Sequence, residues 1–400
     1  MLHRLIGVLE LLAVIGTACG TAYYVLCIWS ARKFLRTNRE WHKKSDNELR
    51  TNTDPSFESL PAISILKPLK GTDPEIYESF RSHCLLDYPE YEIIFGVSDP
   101  ADPAIAPVQR LQTEFPQLSI QLLVCSEILG TNVKVSNLAQ MVKQARYDYL
   151  LVNDSDIRVE PDYLRRVITP LLAPNAGMVT CLYRGAAAPT LGSQIESLGI
   201  GTDFCGGVLV AQELEGAIRF GLGSTLALHK QDLQSIGGFE ALLDYLADDY
   251  ELGARIAEKG RSVRLADVVV ETFLPAYDLR GLLDHQLRWA RSVRDSRRWG
   301  YAGVGLTFGV PWGLLTVFLA KGALWAWATL AIVFCIRLSM AVIIGKQVLG
   351  DSQVTSRLWL VPFRDVFALF VWIASFTSHK IHWRGDEFLL KDGKLTRVDA

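Results

Sequence analysis

The sequence lacks an excess of charge of either sign. Its 400 residues contain 41 lysines and arginines against 43 aspartates and glutamates, which gives a formal net charge of −2 at pH 7. A protein that binds nucleic acid usually carries a basic surplus, so we expect no nucleic-acid partner.

Cysteine is scarce and is not arranged in pairs. The seven cysteines are odd in number and scattered, and no C-x-x-C pair occurs. A disulfide framework or a zinc ribbon needs paired cysteines, so neither is supported. The simplest interpretation is that the main part of the chain folds in a reducing compartment.

Hydrophobic residues, in contrast, are abundant. They make up 50% of the chain against 21% charged residues, and the mean hydropathy is +0.19. This composition excludes a disordered chain and predicts segments that lie in lipid. The first apolar segment, residues 5–29, is long enough to cross a hydrocarbon core of about 30 Å. A signal peptide is the alternative, but the apolar segment is too long and a basic flank follows it, so we predict a retained anchor over residues 1–31.

Hydrophobicity returns near the C-terminus in three blocks, at residues 301–320, 322–345 and 358–378. We therefore predict about three membrane segments within residues 301–380 and a tail over residues 381–400. Polar residues inside these blocks are costly in lipid, so one interpretation is that the third block is re-entrant and does not cross the membrane. The second block raises the same doubt about a full crossing, though more weakly. The residues concerned are Pro362, Arg364 and Asp365 in the third block and Arg337 in the second.

Basic residues cluster after the first apolar segment, whereas only His3 and Arg4 precede it. The cluster consists of Arg32, Lys33, Arg36, Arg39, Lys43 and Lys44. Because positive flanks stay on the cytoplasmic side of a membrane, we expect the central part of the chain to face the cytosol. The polar stretch over residues 32–60 is predicted to be a linker.

The central region, residues 61–300, has the alternation of an α/β domain. Apolar, β-branched runs at 61–67, 91–97, 118–125 and 148–152 begin roughly 30 residues apart, and helical periodicity lies between them. This spacing predicts a Rossmann-like, mostly parallel sheet. No G-x-G-x-x-G follows the first strand and no G-x-x-x-x-G-K-[ST] occurs, so a dinucleotide oxidoreductase or a P-loop NTPase is not supported.

Acidic residues follow two of these strands directly. Asp99 follows the second strand, and Asp154 and Asp156 follow the fourth. Open α/β sheets bind ligands at the carboxyl ends of their strands. In an extended segment Asp154 and Asp156 point the same way, so they can share one Mg²⁺ or Mn²⁺ that also holds a diphosphate. The alternative is that they are turn and cap residues.

Two further acids, Asp248 and Asp249, precede a helical stretch. Compensation of the helix dipole and capping explain acids there without a function. They do not explain the glycine-rich residues 221–225, a stretch that permits close approach of a ligand.

A basic helical face precedes the late membrane blocks. It carries Arg288, Arg291, Arg294, Arg297 and Arg298. Contact with anionic lipid headgroups is one interpretation of this face. The alternative is that Arg288 with Trp289 holds a diphosphate leaving group, since a guanidinium offers a fork that matches phosphate oxygens.

Taken in order, these residues resemble the motifs of a known enzyme group. Asp99, Asp154-Ser155-Asp156, Asp248-Asp249 and His285-x-x-Arg288-Trp289 are similar to the D, D-x-D, D and [QR]-x-x-R-W pattern of inverting, family-2-like glycosyltransferases with a GT-A fold. Within that group the chain resembles the ceramide glucosyltransferases, family 21. The longer local matches lie at residues 65–74, 86–92, 102–105, 132–138 and 154–159, and the resemblance covers roughly residues 5–385.

The resemblance implies roles for individual residues. Asp99 would contact the uridine of the donor, Asp154 the diphosphate, and Asp156 with Asp154 a divalent metal, while Lys134 would lie near the donor. Asp249 would be the base that deprotonates the acceptor hydroxyl.

The last motif would serve the departing UDP and the acceptor side through Arg288 and Trp289. His285 stands where the pattern has Gln or Arg, so its role is open, although Gln286 is adjacent. The role of Asp248 beside the base is open as well.

The activity implied is transfer of glucose from UDP-glucose to a ceramide-like lipid at a membrane, with Mg²⁺ or Mn²⁺. The location would be the inner membrane of a bacterium or the Golgi of a eukaryote. Alternatives are a hopanoid-type lipid glycosyltransferase that uses UDP-N-acetylglucosamine and, less favoured, a processive polysaccharide synthase. A non-enzymatic membrane scaffold would need none of the acids.

Overall fold

The computed structural model describes residues 2–50, 60–383 and 386–398. Its contacts divide the chain into two compact units, which are described separately. The first, here the helical unit, comprises Met1–Thr37, Pro189–Glu213 and Ala276–Asp392. The second, here the sheet unit, comprises Asn38–Ala188, Leu214–Pro275 and Gly393–Ala400.

The sheet unit is built on eight strands in the order β3-β2-β1-β4-β7-β6-β8-β5. The strands are β1 (Ile63–Pro68), β2 (Tyr91–Val97), β3 (Ser119–Val124), β4 (Tyr149–Val152), β5 (Ile157–Arg158), β6 (Ala176–Ala186), β7 (Leu226–His229) and β8 (Ser262–Phe273). The first four are the strands predicted from the sequence. They pair in parallel, β2 and β4 on either side of β1 and β3 outside β2.

Antiparallel pairing enters beyond β4. The short strand β7 pairs antiparallel with both β4 and β6, and β5 pairs antiparallel with β8, while β6 and β8 are parallel. The sheet is therefore mixed but mostly parallel, which confirms the predicted fold class. Strands β1, β2 and β4 are almost entirely buried, as expected for apolar strands covered on both faces.

Helices connect the strands of this unit. They span Ile76–Cys84, Ile105–Glu114, Val133–Met141, Tyr163–Leu171, Lys230–Ser235 and Asp248–Glu258, with a 3₁₀ turn at Phe239–Leu242. Asn132 begins the third of these, because its side chain accepts a hydrogen bond from the N–H of Val135. The final strand, β11 (Lys394–Arg397), also belongs to this unit and bridges to Tyr245.

The helical unit contains most of the apolar residues. After the first helix, Leu2–Arg50, its helices are Leu191–Leu198, Cys205–Glu215, Leu279–Ser296, Arg298–Gly303, Gly309–Leu319, Leu324–Ala341, Gln353–Ser356 and Val361–Ser375. π-Helical segments lie at Gly199–Phe204 and Val342–Val348, and 3₁₀ turns at Val304–Thr307 and Leu358–Leu360. A hairpin of β9 (Lys380–Trp383) and β10 (Asp386–Lys391) completes it.

Three helices are long and apolar enough to cross a membrane: Arg4–Glu40, Leu324–Val348 and Leu358–Ser375. A fourth candidate is the pair Arg298–Thr307 and Gly309–Leu319, which bends by 53° at its break. The chain thus has the candidate spans of a membrane protein, one N-terminal and two or three C-terminal. The bend lies in the first C-terminal block, whereas the sequence had suggested an irregularity in the third.

The polar residues of the late blocks are buried together. Arg337 contacts Asp365 with Nη2 to Oδ1 at 2.8 Å, and the same Nη2 lies 2.7 Å from Oδ1 of Asp203. Arg364 lies 3.4 Å from the other oxygen of Asp203. Mutual pairing removes the main objection to ionised side chains in apolar helices. Pro362 lies in the first turn of its helix, where a missing N–H costs little.

The first helix packs closely against Gly309–Leu319. A Cβ at Gly20 would lie 2.3 Å from the Cα of Gly309, so only glycine permits this approach. One turn earlier, the hydroxyls of Thr17 and Thr316 are 3.0 Å apart. Small residues and hydroxyl contacts of this kind are typical of helices that associate within membranes.

The polar stretch at residues 32–60 does not form a linker throughout. The first helix continues to Arg50, and residues 51–59 lie outside the described part of the chain. Residues 30–50 contain no glycine or proline that would end the helix, which accounts for the extension. The other predicted domain limits stay predictions.

Candidate active site

Carboxylates gather beyond the end of β4. Asp154, two residues after the strand, contacts Lys134 with Oδ1 to Nζ at 2.8 Å, and the same ammonium lies 3.1 Å from Oδ2 of Asp248. Lys134 comes from the first turn of Val133–Met141, and Asp248 begins the helix Asp248–Glu258. Residues from three distant parts of the sequence thus meet through one lysine.

Asp249 is held by main-chain N–H groups. Gly223 N–H donates to its Oδ2 at 2.7 Å, and Tyr250 N–H donates to its Oδ1 at 2.8 Å. A Cβ at residue 223 would lie 2.8 Å from Oδ2 of Asp154 and 3.3 Å from Oδ2 of Asp249. The glycine-rich stretch predicted to allow close approach therefore brings its backbone against two of the acids. Asp249 and Asp154 are neighbours across Gly223.

Crowding of negative charge shifts the ionisation of these acids. Burial and the neighbouring Asp248 raise the pKa of Asp249 to about 6, although Lys134 opposes the shift. Burial and Asp154 raise the pKa of Asp156 to about 6. Burial opposes the charge on Lys134, but Asp154 and Asp248 outweigh it and raise its pKa. The cluster holds more negative charge than one lysine neutralises.

The segment around Asp154 and Asp156 is fixed on both sides. Thr272 donates its hydroxyl to Oδ2 of Asp156 at 2.5 Å, and Ser155 donates its hydroxyl to Asp73. Thr272 lies on β8, and Asp73 lies in the loop before the helix Ile76–Cys84. Contacts with two separate parts of the chain therefore hold the segment that carries the two acids.

A buried polar layer beneath this segment was not assigned from the sequence. Lys67, the fifth residue of β1, is fully buried and donates from Nζ to the main-chain oxygen of Asp154 at 3.0 Å. Its Nζ also lies 3.5 Å from Nε2 of His83, which contacts the side chain of Asn153 at 3.3 Å. Burial lowers the pKa of Lys67 to about 7 against the opposing charges of Asp156 and Asp154. The one feature of the sequence that pointed to this residue was a single lysine inside an otherwise apolar strand.

Asp99 stands apart from the other acids. It follows β2, is exposed, and accepts a hydrogen bond from the N–H of Ala101 at 2.8 Å. Because β1 lies between β2 and β4, about 10 Å separates the two strand ends that carry Asp99 and Asp154.

The donor set favours a metal that shares its ligands with a phosphate. In the described ranges of the chain, no group of three or more His, Cys, Asp or Glu side chains is arranged to hold a metal ion. Asp154 and Asp156 supply hard carboxylate oxygens and excess negative charge, which fits Mg²⁺ or Mn²⁺ when phosphate oxygens complete the coordination.

The His285-x-x-Arg288-Trp289 segment lies in the helical unit, on the helix Leu279–Ser296. Arg288 Nη2 is 3.1 Å from Nδ1 of His285, and the rings of His285 and Trp289 are 5.3 Å apart.

Of the nine site residues predicted from the sequence, this motif supplies three. The structure joins Lys134, Asp154, Asp248 and Asp249 through direct contacts and the Gly223 approach, in the sheet unit.

The fold is similar to that of a known glycosyltransferase. A mannosyltransferase from Pyrobaculum calidifontis, solved in complex with GDP-Man and Mn²⁺, aligns with a TM-score of 0.54 over 92% of this chain and 97% of that one, at 18% identity. The mixed sheet with acids beyond its central strands is thus the GT-A type of glycosyltransferase fold. More narrowly, the family model described as "Glycosyl transferase family 21" matches residues 12–396, so the chain belongs to that family.

Several curated proteins with similar sequences are named ceramide glucosyltransferases. Ceramide glucosyltransferase 3 of Caenorhabditis elegans is 26% identical over 234 residues, which is 58% of this chain and 50% of the relative. Ceramide glucosyltransferase 1 of that organism is 28% identical over 203 residues, 50% of this chain and 43% of the relative. The Candida albicans ceramide glucosyltransferase is 29% identical over 161 residues, 37% and 29%. The matched regions therefore span half or less of these relatives.

Proposed function

We propose that this protein is an inverting glycosyltransferase that moves glucose from UDP-glucose to a hydroxyl of a ceramide-like lipid. The observation that carries the proposal is the setting of Asp249. Two main-chain N–H groups fix its carboxylate, Asp154 lies across Gly223, and its pKa is raised toward the range in which a carboxylate accepts a proton well.

The proposed reaction is a single displacement. The acceptor oxygen forms a bond to the anomeric carbon as the bond from that carbon to the diphosphate oxygen breaks, and the acceptor proton passes to Asp249. UDP leaves with the electron pair of the broken bond. Attack from the opposite face inverts the anomeric centre, so an α-linked donor yields a β-linked product.

The donor is proposed to lie along Asp99, Lys134, Asp154 and Asp156. Asp99 would contact the uridine, and Lys134 supplies positive charge beside the diphosphate. Asp154 and Asp156 would hold Mg²⁺ or Mn²⁺, a group that, when bound, stabilises the charge growing on the leaving diphosphate. Thr272 donates to Asp156, and Ser155, which lies between the two aspartates, donates to Asp73.

Arg288 and Trp289 are proposed to serve the departing UDP and the acceptor side. A guanidinium suits a diphosphate because its planar fork donates two parallel hydrogen bonds. Asp248 is proposed to hold Lys134 rather than to react, since its Oδ2 contacts that ammonium at 3.1 Å.

The lipid acceptor is proposed from the candidate membrane helices and from the three ceramide glucosyltransferases described above. The cytosolic orientation is proposed from the basic residues 32–44 that follow the first apolar segment. The membrane would be the inner membrane in a bacterium and the Golgi in a eukaryote.

A donor and acceptor screen tests the proposal. Purified protein in detergent is incubated with labelled UDP-glucose or UDP-N-acetylglucosamine, with ceramide or a hopanoid lipid, and with Mn²⁺, Mg²⁺ or EDTA. We expect β-glucosylceramide, formed with either metal and lost with EDTA. Asp249→Asn should reduce the rate at least about a hundredfold, because the base is removed.

The matched control is Glu258→Gln, an exposed carboxylate at the far end of the same helix, which should keep the wild-type rate. Transfer of N-acetylglucosamine to the hopanoid would instead establish the alternative lipid substrate, and a water-soluble polymer would indicate a synthase. A normal rate in Asp249→Asn would refute the assignment of the base.

A further inference from the structure

Glu196 is a buried carboxylate in an apolar helix of the helical unit. Its side chain is 1% exposed within Leu191–Leu198. Gln286 donates from Nε2 to its Oε2 at 2.6 Å, and Nε2 of His285 approaches its Oε1 at 3.4 Å. Both partners lie on Leu279–Ser296, the helix that carries Arg288 and Trp289. A buried carboxylate is costly in its ionised form, and the hydrogen bond from Gln286 offsets part of that cost.

The net effect of the surroundings favours that ionised form. Burial acts to raise the pKa of Glu196, but the contact with His285, together with Arg364 and Gln286, lowers it overall. Glu196 is therefore a fixed negative charge facing the motif helix.

The contacts of His285 define which of its nitrogens carries the proton. Arg288 Nη2 lies 3.1 Å from Nδ1, and a guanidinium only donates, so Nδ1 must accept. In the neutral ring the proton is then on Nε2, the atom that faces Glu196. A polar chain thus runs from Glu196 through the His285 ring to the Arg288 guanidinium.

Aromatic neighbours restrict the ring that links the two charges. The His285 ring lies 5.2 Å from the Tyr277 ring and 5.3 Å from the Trp289 ring, and Trp289 lies 5.8 Å from Phe204. A planar ring that is packed between aromatic side chains, accepts from Arg288 at Nδ1 and faces Glu196 with Nε2 has little rotational freedom, so the position of Glu196 bears on that of Arg288.

We infer that Glu196 is a positioning residue that, acting through His285, orients the Arg288 guanidinium for the leaving diphosphate. This inference rests on the proposed function, because it takes Arg288 to serve the departing UDP. It also explains how histidine can take the place of the glutamine that the resembling motif has at this position. Histidine, like glutamine, offers one donor and one acceptor at the same time.

The test compares variants that keep or remove this donor and acceptor pair. His285→Gln should retain the wild-type kcat within about threefold, because the amide donates to Glu196 and accepts from Arg288. His285→Leu and Glu196→Gln should each lower kcat about tenfold or more, with the donor KM changed by less than about twofold, since a misplaced guanidinium weakens the transition state rather than ground-state binding.

A double variant separates positioning from general stability. If both residues act along one chain, Glu196→Gln combined with His285→Leu should be about as slow as His285→Leu alone. The matched control is Glu213→Gln, another carboxylate of the helical unit, which pairs with Lys33 at 2.6 Å. It should keep the wild-type kcat, and the thermal midpoints of all variants should lie within a few degrees of one another.

Different failures have different meanings. Wild-type protein that consumes no UDP-sugar would overturn the proposed function and the inference with it. Active wild-type protein whose Glu196→Gln variant keeps its kcat would overturn the inference alone. Three other results would also overturn the inference alone. These are losses of kcat that multiply in the double variant, an equal loss of kcat in His285→Gln, and losses of kcat that accompany a matching fall in the thermal midpoint.

Discussion

Asp249 combines two properties that a proton acceptor needs. Its carboxylate is fixed by the N–H groups of Gly223 and Tyr250, yet burial and Asp248 keep its pKa well above 3.8. A fixed carboxylate reacts without reorientation, and a raised pKa makes it a stronger base than an exposed aspartate.

The rate should therefore depend on pH with an acid limb. With the pKa of Asp249 at about 6, the carboxylate is ionised and competent above that pH and protonated, hence inactive, below it. We expect kcat/KM to be level from pH 7 to 8.5 and to fall about tenfold per pH unit below 6. The measurement is a pH profile at saturating Mn²⁺.

The pKa of Asp156 is also raised to about 6, so its protonation would fall in the same pH range as that of Asp249. Varying the metal concentration separates the two residues. In the proposed site, protons and metal would compete at Asp156, and excess metal should therefore move any contribution of Asp156 to lower pH. An acid limb that disappears entirely at high metal concentration would contradict the assignment to Asp249.

Lys67 supports the acids from beneath at a cost to stability. Its Nζ donates to the main-chain oxygen of Asp154, and burial lowers its pKa to about 7 from the ordinary 10.5. The folded protein thus binds a proton here less readily than the unfolded chain does. The resulting destabilisation is full below pH 7 and vanishes above about 10.5.

Lys67→Met should accordingly slow transfer about tenfold while raising the thermal midpoint. The gain over wild type should be largest below pH 7 and should shrink as the pH approaches 10. Thermal unfolding at several pH values, with rates at pH 7.5, provides the measurement. Lys143→Met, at a side chain that is 60% exposed, is the control and should change neither. A gain that does not vary with pH would contradict this account.

Among the elements, the strands β1 to β4 were predictable because each is a short apolar run bounded by turn residues. β7 was not, because it follows the glycine-rich residues 221–225 and lies outside the strand–helix alternation of roughly 30 residues, and its antiparallel partners are β4 and β6. The D-x-D acids followed from their place after β4. Glu196 and Lys67 were missed because a lone charge in an apolar segment has no pattern of its own.

The helices Leu324–Ala341 and Val361–Ser375 are joined by a buried ion pair. Arg337 and Asp365 make contacts of 2.8 to 3.1 Å, and Arg337 also contacts Asp203. Loss of one partner leaves a buried charge without compensation, which costs about 3–5 kcal/mol, whereas loss of both is often nearly neutral.

Asp365→Leu should therefore lower the thermal midpoint in detergent, and the double variant with Arg337→Met should recover much of the loss. Asp203 keeps Arg364 as a neighbour at 3.4 Å in the double variant. Lys346→Met, exposed at the end of the same apolar segment, is the control and should have little effect. Additive losses in the double variant would show that the two residues act independently.

At the scale of the whole molecule, the proposed lipid acceptor makes the orientation of the sheet unit relative to the membrane the property to test. The basic residues after the first apolar segment predict that the sheet unit faces the cytosol. A cysteine introduced at the exposed Gln117, with the exposed Cys19 and Cys335 replaced by serine, reports the side directly.

A membrane-impermeant maleimide should label Gln117→Cys in inside-out vesicles and not in sealed right-side-out vesicles. The protein with serine at both native positions and no added cysteine should stay unlabelled in either preparation. Labelling of right-side-out vesicles would reverse the proposed topology.

The contact between the first helix and Gly309–Leu319 bears on how the protein is made. Thr17 and Thr316 meet although 299 residues separate them. At the usual speed of a ribosome, about 5–20 residues per second, the first helix waits on the order of tens of seconds for its partner to be synthesised. During that interval a first helix inserted in the membrane would present the surface around Gly20, which later admits no side chain, to lipid or to the insertion machinery. We therefore expect the contact between these two helices to form late in biogenesis.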